Sequence, residues 1–529
     1  MAAVVAPPRA VPKVVDVREP KWLERLPTWA STGAVLVVLI GISAYMRTRF
    51  ITGQFWMDEA ITTGIASHSL TAIPGILRHD GSPPLFYLLL HFWIAAFGSS
   101  EAATHALPLL FGLLTIPVAM WAGWSLFGRR AGIYAAVLFA FSAFLTEYAQ
   151  ETRMYELMGL LGLVATAAFI HGFVYRRRKY LILFAVSLAL MLYTHAWGMF
   201  FGAGAVITLI PVYSASDDRR ALVRDAAITF VGAGILFLPW LPNFAYQATH
   251  TGAPWAPPPR FGAPVLLSRD LLGGDRITVA LVIATIIGLS LYFTRGHRRT
   301  REGTLMWTLI VLPAATLLLA WLASQITPAF VSRYFAPVLA PILLLAAWGC
   351  ARSGVVGLVA IVLSVLFVVN VGSYTPKYKS NMRDVGGEMA PLLHPGDLVI
   401  VGQPEQVPLA WYYLPSGLRY SSTLGSVSDP RYMNWVYALR RLRHANPQAT
   451  LAPLLASLRP GQQILFVRPL TEGAQNWQAA WTQLVRRRSA QWGALLATDP
   501  QLKWEAVAPH NYRGACCVAD SAVLYEKVS

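Results

Sequence analysis

Charged residues are scarce in this chain, and so are cysteines. Only 13% of the 529 residues are charged, three are Cys and 55% are hydrophobic, which gives a mean hydropathy of +0.49. Soluble proteins of this length carry far more charge, whereas multi-span membrane proteins have this composition. The cysteines form no CxxC or other metal-ligand spacing, and the adjacent Cys516 and Cys517 would make a strained disulfide.

Acidic residues are also few, and the formal net charge is +17. The basic residues occur in short clusters between apolar runs, which is typical of cytoplasmic loops, so we expect no nucleic-acid partner. The segment 1–29 contains no short apolar core with a cleavage site, which indicates a cytoplasmic tail rather than a signal peptide. No Asn begins an N-x-Ser/Thr glycosylation pattern, which favours a prokaryotic membrane.

Long apolar runs predict about eleven membrane-spanning helices, since a span needs about 17–25 residues. These runs lie near 30–46, 104–127, 131–147, 155–175, 180–194, 197–213, 224–245, 277–294, 304–323, 334–350 and 353–372. A further run at 85–97 is shorter and follows Pro83-Pro84. It either spans or lies along the interface.

The basic clusters decide between these two alternatives. If 85–97 does not span, the clusters fall on the side of the N-terminal tail, as the excess of Lys and Arg in cytoplasmic loops requires. They are Arg129-Arg130, Arg176-Arg177-Arg178-Lys179, Arg219-Arg220, the group from Arg295 to Arg301, and Arg352. Arg47 and Arg49 are exceptions. We therefore predict a membrane domain over 30–375 with a long outer loop at 47–103, an internal N-terminus and an external C-terminus.

Residues 376–529 have a different, mixed composition. Short strand-like runs at Asp397–Gly402, Gln463–Arg468 and Ala522–Val528 alternate with helical stretches at Asn434–His444 and Gln475–Leu496. This pattern predicts an extracytoplasmic α/β domain. It contains no nucleotide-binding glycine motif, so we expect it to position an acceptor or shield a site rather than to take part in bond-making.

An acidic pair, Asp58-Glu59, follows Trp56 shortly after the first apolar run. Carboxylates next to a bilayer are costly unless they serve an ion, a proton or a polar substrate. An aspartate here suits a general base or a divalent-cation ligand, whereas the plainer reading is a charge that stabilises a helix N-terminus. Asp80 is a second carboxylate close to lipid, just before the helix start that Pro83-Pro84 marks.

Three other outer segments carry polar residues. The segment 147–155 supplies Glu151, Arg153 and Tyr155, where Arg153 either binds a phosphate or makes an exposed ion pair of little energetic value. His195 lies between two spans on the same face. Arg333-Tyr334 begins the tenth span, where the arginine either snorkels towards water or binds a lipid phosphate.

Together these segments resemble the GT-C class of integral-membrane glycosyltransferases, in particular the branch of protein O-mannosyltransferases and lipid A aminoarabinose transferases. The matching segments are Trp56–Ala60, Asp80–Tyr87, Tyr148–Tyr155 and Arg333-Tyr334, within residues 30–350. The resemblance implies a polytopic helical fold and inverting transfer of a hexose or pentose at the outer face. The donor would be a polyprenyl-phosphate sugar, and the acceptor a glycan, lipid or protein.

The resemblance also implies roles for individual residues. Asp58 matches the catalytic acidic position, Glu151 matches a second acidic position that is Asp in some members, and Glu59 is a further catalytic candidate. Arg153 and Arg333 would bind the donor phosphate, since an anionic leaving group departs most easily towards fixed positive charge. The other candidates for donor binding are Asp80, Tyr155, His195 and Tyr334. Metal use varies within the class, and a divalent cation would bind Asp58 and Glu151.

Two other classes compete with this interpretation. A transporter or flippase for a lipid-linked saccharide would place ionisable groups or broken helices near the bilayer midplane, which the apolar runs do not indicate. A cytosolic nucleotide-sugar transferase would need a large internal domain, and the internal loops are too short for one. The sequence therefore favours the transferase.

Overall fold

The computed structural model describes residues 28–294, 301–370, 379–470, 478–510 and 518–528. The predicted cytoplasmic tail, most of the basic cluster at 295–301 and the Cys516-Cys517 pair lie outside these residues. The described chain has a helical part, 28–370, followed by a part built around a β-sheet, 379–528. The domain boundary predicted at residue 375 lies outside the described residues.

The helical part contains seventeen α-helices within the described residues. They are α1 Thr28–Thr48, α2 Met57–Ala66, α3 Ile73–Asp80, α4 Leu85–Phe97, α5 Glu101–Phe127, α6 Arg129–Ala140, α7 Ala143–Tyr148, α8 Tyr155–Phe169, α9 Lys179–Thr194, α10 Gly198–Ser214, α11 Arg219–Phe237, α12 Leu241–His250, α13 Ala263–Leu272, α14 Asp275–Phe293, α15 Arg301–Ile326, α16 Ala336–Arg352 and α17 Val355–Asn370.

Seven of the described helical segments are long and apolar enough to cross a membrane, and four apolar helices are shorter. Ten of the eleven predicted runs correspond to these segments, and the remaining segment is the shorter run at 85–97, so the predicted count of eleven spans is not confirmed. The run at 131–147 is not a continuous helix, because α6 ends at Ala140 and Ser142 begins α7 by accepting a hydrogen bond from the Leu145 N–H. The run at 85–97 forms the shorter helix α4.

Arg47 lies at the end of α1 but is not a loop residue. Its side chain is fully buried, and Nη2 donates to the Phe139 carbonyl at 2.8 Å. Glu156 of α8 is also fully buried and lies beside it at Gly112, where an added Cβ would fall 2.6 Å from Arg47 Nη1 and 2.8 Å from Glu156 Oε2. Since Arg47 is inside the helix bundle, it does not count as an exception among the loop charges.

The C-terminal part contains a six-stranded mixed sheet. Its strands are β1 Leu398–Val401, β2 Arg419–Ser422, β3 Gly425–Val427, β4 Gln463–Leu470, β5 Leu502–Ala508 and β6 Ala519–Lys527, in the order β3-β2-β1-β4-β6-β5. β1 is parallel to β2 and β4, and the other pairs are antiparallel. All four residues of β1 are buried, as expected for a central strand with both faces covered.

Five helices pack around this sheet: α18 Met382–Met389, α19 Val407–Tyr413, α20 Ala438–His444, α21 Pro447–Ala456 and α22 Ala480–Thr498. The three predicted strands are confirmed as β1, β4 and β6. The helix predicted at Asn434–His444 begins only at Ala438, and the one predicted at Gln475–Leu496 begins at Ala480.

The sheet part closes over α2. The Tyr413 hydroxyl accepts a hydrogen bond from the Phe55 N–H at 2.8 Å, and the Asp429 carboxylate pairs with His68 Nε2 at 2.7 Å. Gly64 lies directly against the backbone of Arg431, where no side chain would fit. The helix α2 is therefore enclosed, and eight of its ten residues are buried.

Candidate functional site

The first turn of α2 carries Asp58, whose side chain is 22% exposed. Its Oδ2 lies 3.3 Å from Arg333 Nη2, so a carboxylate and a guanidinium meet at the edge of the buried helix. The Asp58 carbonyl accepts from the Thr62 hydroxyl at 2.7 Å and from Arg153 Nη1 at 3.3 Å. These contacts hold the Asp58 backbone in place, while the carboxylate itself is paired with Arg333 and partly exposed.

Arg153 extends from the segment between α7 and α8 towards the same helix turn. Its Nη1 donates to Thr62 Oγ1 at 2.6 Å, and no hydrogen-bond partner for its buried Nε is found among the described residues. Asp80, at the end of α3, lies close enough for the two charges to interact. Burial raises the pKa of Asp80 to about 6, against the opposing effects of a Ser82 hydrogen bond and the Arg153 charge.

Arg333 lies on the 3₁₀ turn Ser332–Phe335 that precedes α16. Its Cζ is 5.3 Å from the centre of the Trp56 ring, 5.5 Å from that of Trp255 and 5.6 Å from that of Tyr334. Aromatic faces stabilise a cation at these distances. The buried Nε has no hydrogen-bond partner in the part of the chain that the structure describes. The guanidinium is thus held by rings, with donor capacity left for an anion.

Glu151 is only 7% exposed, and its buried Oε1 lacks a hydrogen-bond partner within the described ranges. Burial raises its pKa to about 8, and the negative charge of Glu59 adds to this effect. Near neutral pH the carboxyl is therefore mostly protonated and able to donate a hydrogen bond. The charges of Asp58 and Arg333 also act on Glu151, so the three groups lie at one site.

Glu59, the next residue after Asp58, points the opposite way and is fully buried. Its Oε1 accepts from His105 Nε2 at 2.6 Å and from the Thr152 N–H at 2.9 Å. Its Oε2 lies 2.6 Å from Lys379 Nζ. Burial alone would raise the pKa of Glu59, but the charges of Lys379 and His105 outweigh it and lower the pKa to about 2. Glu59 is an ionised, fully bonded carboxylate beneath the site.

His195 and two tyrosines form one wall. His195 Nδ1 accepts from the Trp197 N–H at 3.1 Å, and burial, together with the charges of Arg153 and Arg333, lowers its pKa to about 3. The ring is therefore neutral, with its proton on Nε2. Its centre is 4.5 Å from that of Tyr334, which lies 6.4 Å from the Tyr155 ring. The Nε2–H of His195 and the two tyrosine hydroxyls are thus neutral hydrogen-bond donors near Arg153 and Arg333.

A divalent cation bound by Asp58 and Glu151 stays a prediction. Across residues 28–294, 301–370 and the described C-terminal ranges, no group of three or more His, Cys, Asp or Glu side chains is placed to hold a metal. Asp58 and Glu151 supply two carboxyls, and Asp58 is paired with Arg333. The positive charge at the site comes from the arginines.

Comparison with known proteins gives matches to solved structures alone. No protein-family model and no curated protein matches the sequence. The crystal structure of ArnT from Cupriavidus metallidurans in the apo state superposes with a TM-score of 0.60 at 13% identity, covering 94% of this chain and 98% of that one. The same protein bound to undecaprenyl phosphate gives 0.57 at 14% identity, with the same two coverages.

An archaeal protein has a related architecture. The Archaeoglobus fulgidus oligosaccharyltransferase in its apo form superposes with a TM-score of 0.53 at 12% identity, over 85% of this chain and 72% of that one. Both matched proteins are GT-C glycosyltransferases. This chain has the GT-C fold.

The GT-C fold brings together the residues that the sequence predicted from separate outer segments. Asp58, Arg153, Arg333, Glu151 and Asp80 contact or electrostatically influence one another. Tyr155, His195 and Tyr334 line the same space. Glu59 lies beneath these residues, where it pairs with His105 and Lys379. Their chemical roles remain predictions.

Four side chains of this GT-C site were missed by the sequence analysis: Thr62, His105, Trp255 and Lys379. Thr62 is one turn after Asp58, so helical spacing could have indicated it. Trp255 is the single aromatic residue in the Pro-rich segment 252–260, which is a weak signal for a site. His105 and Lys379 lie 46 and 320 positions from Glu59, and nothing local in the sequence connects them.

Proposed function

We propose that this protein is a glycosyltransferase that uses a polyprenyl-phosphate-linked sugar and acts at the outer face of a prokaryotic cytoplasmic membrane. The observation that carries the proposal is the Asp58–Arg333 pair, a partly exposed carboxylate 3.3 Å from a guanidinium, on the GT-C fold. A base and a phosphate-binding cation side by side are what sugar transfer from a phosphate ester needs. The undecaprenyl phosphate bound to the similar ArnT supports a donor of this class.

The reaction forms one bond and breaks another at the anomeric carbon. An acceptor hydroxyl or amine attacks that carbon while the bond to the phosphate oxygen breaks, with inversion of configuration. Asp58 takes the proton of the nucleophile as general base. The electron pair of the broken bond stays on the polyprenyl phosphate, whose negative charge Arg333 and Arg153 stabilise.

The surrounding residues position Asp58 and the donor phosphate for the reaction. On donor binding, Arg333 exchanges its contact with Asp58 for the phosphate, which frees the carboxylate to act as a base. Protonated Glu151 and the Nε2–H of neutral His195 are donors that suit the phosphate or sugar oxygens. Asp80 and the buried phenols of Tyr155 and Tyr334 shape the space around them. In this arrangement Glu59 supports Asp58 and does not contact the substrate.

The test is transfer by the purified full-length protein in liposomes, with a radiolabelled polyprenyl-phosphate sugar and a panel of lipid, glycan and peptide acceptors. We expect wild type to release polyprenyl phosphate and label one acceptor class. Asp58→Asn should lower the transfer rate by about 10²–10⁴-fold, because an amide accepts a hydrogen bond but not a proton. Asp384→Asn, at an exposed carboxylate of α18, is the matched control and should retain the wild-type rate.

Two outcomes would contradict this proposal. Movement of intact donor across the bilayer without cleavage of its phosphate bond would make the protein a flippase. Near-normal transfer by Asp58→Asn would remove Asp58 from the role of base and leave Glu151 and Asp80 as the buried carboxyls at the site.

A further inference from the structure

A buried charge cluster lies directly beneath the proposed site and joins the two parts of the protein. Glu59 of α2 and His105 of α5 are fully buried, and Lys379, from the start of the sheet part, is 16% exposed. His105 Nε2 and Lys379 Nζ each lie 2.6 Å from the Glu59 carboxylate, on different oxygens. The Thr152 and Trp56 N–H groups also donate to it, at 2.9 and 3.3 Å. Four donors thus converge on one carboxylate.

Hydrogen bonding shows how the charges are distributed. His105 Nδ1 lies 2.6 Å from the Ile51 carbonyl, and Nε2 lies 2.6 Å from Glu59. A carbonyl oxygen and an ionised carboxylate only accept hydrogen bonds, so both nitrogens of His105 must donate. The ring is therefore an imidazolium, and the cluster of one carboxylate and two cations carries one net positive charge.

The cluster also fixes both backbone segments that carry site residues. Glu59 directly follows Asp58. Lys379 Nζ donates to the Gln150 carbonyl at 3.0 Å, immediately before Glu151, and the Thr152 N–H on Glu59 comes immediately before Arg153. Lys379 and Glu59 together therefore hold the start of α2 against the segment 150–153.

We propose that Lys379, supplied by the C-terminal part, is a positioning residue for transfer, which fixes Asp58 opposite Glu151 and Arg153 through Glu59 and the Gln150 carbonyl. This inference rests on the proposed function and deepens it. Lys379 does not contact the reacting atoms, since its ammonium is bound to Glu59 and Gln150. Without it, a fully buried carboxylate loses one of its two cations, and the backbone carbonyl before Glu151 loses its donor.

A matched contact allows this role to be separated from simple docking of the two parts. Arg383, four residues further on, donates to Glu101 at 2.7 Å and to the Thr52 carbonyl at 2.9 Å. It therefore also ties the sheet part to the helical part, but at an ion pair that is 44% exposed on the arginine side and contacts none of the site residues. Arg383→Met removes a contact between the same two parts and leaves the buried cluster intact.

The experiment compares Lys379→Met, Lys379→Arg and Arg383→Met in the full-length protein in liposomes, with the donor that wild type uses. Lys379→Met should lower kcat by about 10- to 100-fold, as loss of a supporting partner typically does. The KM for the donor should change little, because Arg153 and Arg333 keep their own contacts. Lys379→Arg should recover most of kcat, since it restores the charge. Arg383→Met should retain the wild-type kcat.

A double-mutant cycle with Glu59→Gln tests the contact without an activity assay. The loss in thermal midpoint should be smaller for Lys379→Met in the Glu59→Gln background than in wild type, because the contact has already been weakened. Equal losses in both backgrounds, or equal kcat for Lys379→Met and Arg383→Met, would overturn the positioning role while wild type still transfers sugar. A wild-type protein that transfers no sugar would instead overturn the proposed function, and the cycle would still report whether Lys379 and Glu59 are coupled.

Discussion

At the residue scale, the site consists of carboxyl groups whose protonation is set by their surroundings. Asp58 and Glu59 are adjacent, yet Asp58 faces an arginine at a partly exposed edge and Glu59 is enclosed by four donors. Glu151, buried beside them without a partner for Oε1 among the described residues, holds its proton near neutral pH. Neighbouring carboxyls therefore have different chemistry because their neighbours differ, which sequence spacing alone does not show.

The two arginines should differ in what a substitution does. Arg333→Ala should weaken binding of polyprenyl phosphate by about 10- to 100-fold, since a hydrogen bond to a charged group is worth about 1.5–3 kcal/mol. Arg333→Lys should recover only part of this affinity, because lysine lacks the planar fork and the stacking on Trp56 and Trp255. Equilibrium binding of radiolabelled polyprenyl phosphate measures both, with exposed Arg260→Ala as control. Unchanged affinity in Arg333→Ala would mean that Arg333 serves Asp58 alone.

Glu151 should make stability depend on pH. Its pKa is about 8 in the folded state against 4.5 ordinarily, so the folded state keeps the proton while the unfolded state releases it. The favourable contribution is complete below pH 4.5 and is lost as pH rises to about 8. The glutamine of Glu151→Gln does not titrate. The thermal midpoint of wild type, measured relative to this variant, should therefore decrease as the pH rises from 4.5 to 8. Asp80 and Asp520 have raised pKa values in both proteins, and their effects cancel in the comparison. Parallel curves would show that Glu151 is ionised throughout.

At the scale of helices and strands, the sequence predicts those elements that consist of continuous apolar residues. Most of the apolar helices, and the apolar stretches 398–401, 464–467 and 522–525 of β1, β4 and β6, are continuous in the sequence and were predicted from it. β2 reads Arg419–Ser422, β3 has three residues and β5 carries Lys503 and Glu505, so these edge and near-edge strands have no comparable pattern. The helix break at Ser142 was not predicted, because apolar residues continue on both sides of it. The Ser142 hydroxyl caps the helix that follows, and a single capping residue does not change the apolar pattern.

The candidate site was predictable to the same extent. Asp58, Arg153 and Arg333 are polar residues at the ends of apolar runs, and a count of the spans alone places them on one face. The layer beneath them was not predictable, because Glu59, His105 and Lys379 meet only through tertiary packing. Arg47 and Glu156 show the same limit inside the bundle, where two charges that look misplaced in sequence lie together around Gly112.

At the scale of the whole molecule, the orientation in the membrane remains a prediction from charge. In a background without the three native cysteines, single cysteines near 177, 218 and 298 should be protected from an impermeant maleimide in intact cells. Those near 260 and 450 should be labelled, because the basic clusters are predicted to be internal. Protection of residue 450 would place the sheet part inside and would remove the outer-face site with it.

Because the sheet part covers α2, the candidate site is completed late in the synthesis of the chain. The chain is made from its N-terminus, so the apolar helices up to Asn370 are synthesised before Lys379 and the sheet that follows it. At about 5–20 residues per second, the segment from Lys379 to Ser529 takes roughly 8 to 30 seconds to synthesise. Until that segment has been made and has folded, α2 lacks its cover. A chain that stops before residue 379 therefore lacks both the Lys379 ammonium that pairs with Glu59 and the sheet part that covers α2.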